Sequence, residues 1–416
     1  MGVISPVGLG LEQFWSALLA GKSGIRPISL FNTEGFPTRI AAEVQDFDPK
    51  KLIKQRKALK VMARDIQFVT AAAQLAMEGI GPEKLDPERF GVSVGAGLIT
   101  AELDELAPSL VHSRDANGRF DLKKFGSEGL DHLFPLWLLK YLPNMLGCHI
   151  SIFHNAQGPN NTITTGPVAS TQAIGEGARV IERNAADCMM CGGAESKVSP
   201  MNLLRYHLLG QLSRRNDEPA RSSRPFDMER DGLVIGEGAA ILFAESLEHA
   251  LKRGAGVIAE LCGYATATGA SHPTAGNSRP DGIRNAVLGA LRDAALEPKD
   301  VSFIVSSASG LPREDAVECE AIRAVFGDFA DQVPVTSIRS MVGHCDAGAG
   351  ALDVAAACLA ARDGRLPATL NYETPDPDCN LRIVAGSAAE AGPVGLVVSA
   401  GLGSQAACIV VKRFEP

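Results

Sequence analysis

The sequence predicts an internally duplicated α/β fold, and three observations carry that prediction. Strand-plus-glycine segments of the first half recur in the same order in the second. FGVSVGAG (90–97) matches VSFIVSSASG (301–310), and the strand and elbow at 161–183 match VPVTSIRSMVGH (333–344) with its Ala-rich helix 347–361. The strand at 188–193 matches VGLVVSAGLG (394–403). The halves divide as 1–247 and 248–416, with both elbows expected beside one central site.

Taken in order, 10–21 and 50–78 read as helices. The second carries Lys54, Arg56, Lys57, Lys60 and Arg64 near its start, then an apolar face of Ile66, Val69, Ala72 and Leu75. Such a basic face is either solvated or a docking surface for an acidic partner. Residues 100–140 read as an excursion of helical pieces broken by the turn Asp115-Ala116-Asn117-Gly118. Its apolar end, HLFPLWLLKYLPNM with Trp137, predicts a lid over a pocket or part of a subunit interface.

The stretch NTITTGPVASTQAIGEG (161–177) is a β-branched strand, a Gly-Pro turn and a small-residue helix. A strand turning sharply into a helix exposes the residue at the turn with a helix N-terminus behind it, where such enzymes place a nucleophile. Here that residue is Pro167. Helix 168–183 then leads to a strand over 186–192, and residues 212–227 read as a mobile basic loop. The strand 233–244 follows, then a helix ending near Arg253-Gly254.

Composition narrows the function classes. A net charge of −8 argues against non-specific nucleic-acid binding. Nine scattered cysteines suit a reducing, cytoplasmic setting rather than a disulfide framework. Cys188 and Cys191 form a CxxC inside an apparent core strand with no second pair at zinc spacing, so they read as buried thiols and no metal site is expected. The opening MGVISPVG carries no signal-peptide pattern. The long charge-free stretch 392–411 is broken by Pro393, Gly395, Gly401, Gly403 and Gln405, which argues against a membrane helix.

With these residues laid out, the chain resembles the β-ketoacyl synthases of fatty-acid and polyketide assembly, over essentially its whole length. The specific parts are LPNM (142–145), GPN (158–160), GGAES (192–196), SRPFDMERDGLVIGEGAA (223–240), SMVGHCDAGAG (340–350) and GLGS (401–404). The resemblance implies a thiolase-like duplicated αβαβα layered fold with a cap or interface excursion. It also implies chemistry by a cysteine, two histidines and a lysine. The thiolate takes an acyl chain from a carrier-protein thioester, and the histidines assist decarboxylation of a malonyl extender whose carbanion attacks the acyl-cysteine. That thiolate needs a helix N-terminus to lower its pKa, and the tetrahedral oxyanion needs paired N–H donors.

Matched residue by residue, the chain departs from this set. Pro167 stands at the cysteine position, eight residues after Pro159. Ser307 stands at the first histidine, Arg339 at the lysine, and His344 alone is retained. Proline also lacks the N–H that the family's nucleophile contributes to its oxyanion hole. The other donor would come from Leu402, beside Gly403, where the family usually has phenylalanine. Losing one such donor costs on the order of 10²–10³ in rate. Proline is well suited to a first helical turn, so position 167 reads as kept for structure. Ser170 and Cys345 are the other conceivable nucleophiles.

Of the two threonines that hold a carrier's phosphopantetheine arm in the family, Ser309 keeps a hydroxyl and Leu311 does not. His272 matches a histidine lining the substrate side. Lys57, Lys60 and Arg64 match the carrier-docking region. No bound cofactor is implied; the phosphopantetheine arm of an acyl carrier protein is the expected ligand. The expected function is a non-catalytic partner similar to chain-length-factor (ketosynthase β) subunits, dimerised with a cysteine-containing synthase. Those subunits usually carry glutamine at the cysteine position, which sets Pro167 apart. The alternatives are a malonyl-carrier decarboxylase or acyltransferase using His344 without an acyl-enzyme, and a structural homodimer that binds acyl groups or carriers.

Overall fold

The computed structural model describes residues 1–272 and 278–415, the side chains of Pro82 and Leu402 excepted. Its core strands in chain order are β1 (Gly2–Ser5), β2 (Gly8–Leu9), β3 (Phe90–Ala96), β4 (Asn160–Ile163), β5 (Cys188–Ser196) and β6 (Glu237–Glu245) in a first sheet. A second sheet holds β7 (Glu260–Thr268), β8 (Phe303–Val305), β9 (Pro334–Thr336), β10 (Arg382–Ile383), β11 (Val394–Gly401) and β12 (Gln405–Lys412).

The sheets run β2-β1-β6-β5-β3-β4 and β10-β9-β8-β11-β12-β7. Leaving out the edge strands β2 and β10, both have the same internal order. The first strand pairs antiparallel with the last, the last antiparallel with the fourth, and the fourth, second and third run parallel. The duplication read from the sequence is therefore a duplication of topology, with β3, β4 and β5 answering to β8, β9 and β11.

Five helices complete the layers: α1 (Arg64–Ala76), α2 (Ala169–Glu182), α3 (Asp281–Asp293), α4 (Pro312–Phe326) and α5 (Ala349–Asp363). α2 and α5 touch each other and strands of both sheets, so they form the middle layer. Every residue of α5 from 349 to 361 is buried, as expected of a helix apolar all round. The two helices approach closely because their contact residues are small. A Cβ on Gly350 would sit 2.0 Å from the Thr171 hydroxyl. α1 covers the outer face of the first sheet, and α3 with α4 covers that of the second, giving α-β-α-β-α. Among the described residues no helix is long and apolar enough to cross a membrane.

Two sequence expectations change. The helix expected over 50–78 is three pieces: Pro49–Leu52, a 3₁₀ segment Arg56–Val61, and α1. Six cations lie between positions 50 and 60, and a continuous helix would stack them at i,i+3 and i,i+4, where like charges repel. The segment 212–227 is anchored rather than mobile. Asp227 is buried and accepts from the backbone N–H of Glu373 and Thr374, each at 2.7 Å, while Ser213 N–H donates to Leu233 O at 2.9 Å. Those partners lie far along the chain, beyond the reach of a local reading.

The excursion contains helices Leu103–His112, Leu122–Ser127 and Trp137–Tyr141, held together where the Tyr141 hydroxyl donates to Glu105 at 2.7 Å. Leu103, Val111, Phe120, Leu122 and Leu138 leave an apolar surface exposed on it. Cys188 and Cys191 lie on opposite faces of β5, in different core clusters, so the CxxC cannot close on one ion.

Candidate active site

The site forms where the two elbows meet. After β4 the chain reverses at Gly166, whose φ of 65° is left-handed, and a 3₁₀ turn Gly166–Val168 opens α2. Pro167 occupies the first turn of that helical run, where its missing N–H would have had no intrahelical partner. The end of β11 passes alongside: a Cβ on Gly401 would lie 3.4 Å from Pro167 Cδ. The next turn, Leu402–Ser404, contains Gly403 at φ 75°. The Leu402 side chain lies outside the described residues. Ser404 ties this turn to the segment bearing His272, through a 2.6 Å contact between the Ser404 and Ser271 hydroxyls. His272 itself is exposed.

On the second elbow, His344 is clamped by backbone: its N–H donates to Val234 O at 2.8 Å and its carbonyl accepts from Gly236 N–H at 3.0 Å. Arg339, among the largest fully buried side chains, reaches three groups. Its guanidinium donates to Ser307 O at 2.6 Å, to Asp353 at 3.1 Å, and lies 3.4 Å from His344 Nδ1. A guanidinium only donates, so Nδ1 accepts and the neutral imidazole carries its proton on Nε2. Burial, then the Arg339 charge, pushes His344 down to about 4. The ring is neutral at pH 7 and offers one N–H.

Ser307 does not join it. Its hydroxyl and N–H both donate to buried Glu318, as does the Ser306 hydroxyl at 2.6 Å. Only the Ser307 carbonyl faces Arg339. Ser309 is buried, its N–H donating to Asp315 at 3.0 Å, and burial pushes that carboxyl up to about 7. Leu311 packs onto the Leu212–Leu233 cluster.

The alternative nucleophiles are consumed structurally. Ser170 Oγ is fully buried and accepts from Ala351 N–H at 2.9 Å. Cys345 is fully buried and burial pushes its thiol well up, away from thiolate. Among the basic residues, Lys57 and Lys60 are exposed. Arg64 is not available as a docking residue. Its Nε donates to Glu237 at 2.8 Å and its Nη2 reaches the other oxygen of the same carboxylate, which is fully buried.

The sequence reading missed a buried polar cluster beside the elbow: Glu195, Lys197, Tyr206 and Asp346. The Tyr206 hydroxyl donates to Asp346 at 2.8 Å, Lys197 lies 3.3 Å from Asp346, and Lys197 also pairs with Glu195. The Tyr206 ring stands edge-on to His344, with centroids 6.4 Å apart. Burial, then the Asp346 charge, raises Glu195, while Lys197, His344 and Tyr206 overcome burial to hold Asp346 below its ordinary value. The available signal was Asp346 itself, a lone charge within the small, apolar run HCDAGAG.

Comparison with known proteins agrees with this architecture. The β-ketoacyl synthase N-terminal domain matches residues 1–250 and the C-terminal domain residues 258–373. The chain is 37% identical over 397 residues to 3-oxoacyl-[acyl-carrier-protein] synthase 2 of Coxiella burnetii, covering 94% of this chain and 91% of the relative. It superposes on the ishigamide ketosynthase/chain length factor with a TM-score of 0.87 at 33% identity, covering 100% and 98% of the two chains. It also superposes, at TM-score 0.85 and 30% identity over 100% and 98%, on a type II PKS acyl-carrier protein complex with its ketosynthase bound to the hexaketide (AntDE:AntF).

Proposed function

The chain belongs to the β-ketoacyl synthase family, and from that premise we propose that it is a ketosynthase-like subunit without condensing activity of its own. It would pair, in the manner of a chain length factor, with a cysteine-containing synthase in cytoplasmic fatty-acid or polyketide assembly. The carrying observation is the elbow: Pro167 supplies neither a thiol nor an N–H at the position where an acyl-enzyme would form. Ser170 and Cys345 are tied into the core, and no other described residue of the turn carries a thiol in place of the nucleophile.

A partner chain is supported by two surfaces. β4 is the edge strand of the first sheet, with Asn160 and Asn161 exposed, and an open edge is a template for pairing. The excursion adds exposed apolar side chains. A carrier protein is a second partner, met by Lys57 and Lys60, with its phosphopantetheine arm passing Ser309 and the Gly401–Ser404 turn. The relatives solved as a ketosynthase/chain length factor and as a carrier complex are consistent with both.

The test is co-expression with a cysteine-containing synthase of the same pathway. A stoichiometric complex on size exclusion, and a product-length change when this subunit is omitted, are expected. A stable homodimer that ignores the synthase would overturn the reading in favour of a structural or acyl- and carrier-binding homodimer.

One observation favours a second reading. The His344 Nε2–H set by Arg339 can stabilise an enolate oxygen, which is what a malonyl-carrier decarboxylase needs without an acyl-enzyme. Malonyl-loaded carrier incubated with the protein, followed by intact mass, tests it. Turnover no faster than that of His344→Ala rejects it.

A further inference from the structure

Resting on the ketosynthase-like reading of the elbow, we propose that Lys197, Asp346 and Tyr206 form a charged plug filling the room beside the Gly166–Val168 turn. An apolar acyl chain attached at, or delivered to, that turn on the Asp346 side would meet these charges. The subunit then holds no acyl chain of its own, and its specificity is exclusion.

The members converge on the turn from separate elements. Glu195 lies one residue before the end of β5, Lys197 just beyond that strand, Tyr206 projects from helix Pro200–Leu208, and Asp346 sits in the turn before α5. Each is fixed. Glu195 accepts from Ala347 N–H at 2.7 Å, and Gly97 leaves it room, since a Cβ there would lie 2.0 Å from its carboxylate. Asp346 is held at a φ of 43°, a strained conformation for a residue with a side chain. Its carboxylate meets the Lys197 ammonium and the Tyr206 hydroxyl.

One carboxylate oxygen is left over. Asp346 Oδ1 is buried without a hydrogen-bond partner and would lie 3.6 Å from a Cβ placed on Gly166. The cluster therefore abuts the turn with a charged atom rather than an apolar wall. An alkyl chain entering there would separate Lys197 from Asp346 and leave the Asp346 carboxylate buried without its cation, which is strongly unfavourable. Two cavities of about 500 and 410 Å³ are lined by Tyr372, Asp376 and Arg382, and by Ser29, Glu43 and Arg64. Neither is lined by a residue of the elbow turn.

The test titrates the full chain with cis-parinaric acid, a fluorescent fatty acid, and competes it with decanoic acid. Lys197→Ala with Asp346→Ala removes both charges together and opens the space. Lys197→Met with Asp346→Leu removes them while preserving bulk, in case the first variant does not fold; near-UV circular dichroism checks both. No saturable binding is expected for the wild type, and at least tenfold tighter, decanoate-competable binding for each folded variant. Wild-type binding as tight as the variants', or no binding by any folded variant, overturns the plug. Failure to pair with a cysteine-containing synthase would overturn the subunit reading and leave the titration result untouched.

Discussion

His344 gives the most quantitative prediction. The ring is buried, and burial with the neighbouring Arg339 charge holds it at about 4 against an ordinary 6.5. The groups facing it are Arg339, Asp346, Lys197 and Tyr206. Below pH 6.5 the unfolded chain takes up a proton that the folded chain refuses until pH falls to about 4. Stability therefore declines as pH drops through that window, and the penalty is absent above it. The gap corresponds to about 3 kcal/mol. His344→Gln keeps a polar side chain of similar reach and cannot titrate. Urea unfolding of both proteins at pH 7.5, 6, 5 and 4.5 should show the wild type losing up to about 3 kcal/mol more than the variant on acidification. Parallel curves would refute the neutral, Arg339-capped imidazole, and so would a wild type that gains on the variant in acid. The Nε2–H assignment would fall with either result.

Four further outcomes follow from the geometry. Arg64→Ala should destabilise by about 3 kcal/mol, because it strands the buried Glu237 carboxylate; Lys57→Glu with Lys60→Glu should leave the melting temperature unchanged while weakening carrier association in a salt-dependent way, and the reverse pattern would reinstate Arg64 as a docking residue. Pro167→Cys restores a thiol and an N–H at the helix start, so iodoacetamide should alkylate it, with the added mass mapped by peptide digestion. Condensation by that variant should still be absent, and synthase-like turnover would show that Ser307 is no obstacle. Ser307→His should raise malonyl-carrier decarboxylation less than tenfold, because position 307 directs its side chain to Glu318; a rise of roughly 10² or more, the worth of a regained oxyanion donor, would contradict that orientation.

The fold was legible because β-branched strands ending in glycine turns recur in order, and topology repeats with them. One piece that misled is governed by distant partners: Asp227 anchors 212–227 through backbone N–H groups at 373 and 374. The other, the broken helix at 50–63, follows from crowded like charges that the sequence already displays. At the site, sequence matching identified Pro167, Ser307, Arg339 and His344, yet it could not say which way Ser307 points. Lys197 and Tyr206 escaped notice because an exposed and a buried lysine or tyrosine look the same in a sequence. Only their meeting with Asp346 separates them from surface residues.

The retention of His344 carries less functional weight than its place in the motif suggests. Its backbone is a structural clamp, closing on Val234 and Gly236, and its ring is one of three groups gathered by Arg339. That guanidinium joins the strand-end at Ser307, the middle-layer helix at Asp353 and the second elbow itself. Removing one partner from such a buried set leaves another charge uncompensated, at a cost of several kcal/mol. A chain under no pressure to condense acyl groups would therefore still need a cation at position 339 to meet Asp353 and the residues packed on it. Ser307 and Pro167 face no such constraint, since the serine finds its own buried acceptor and the proline suits a first helical turn. On the proposed reading, a cation at 339 and His344 stay because they tie the second elbow to Ser307 and Asp353, whereas Pro167 and the Ser307 side chain meet only local structural demands.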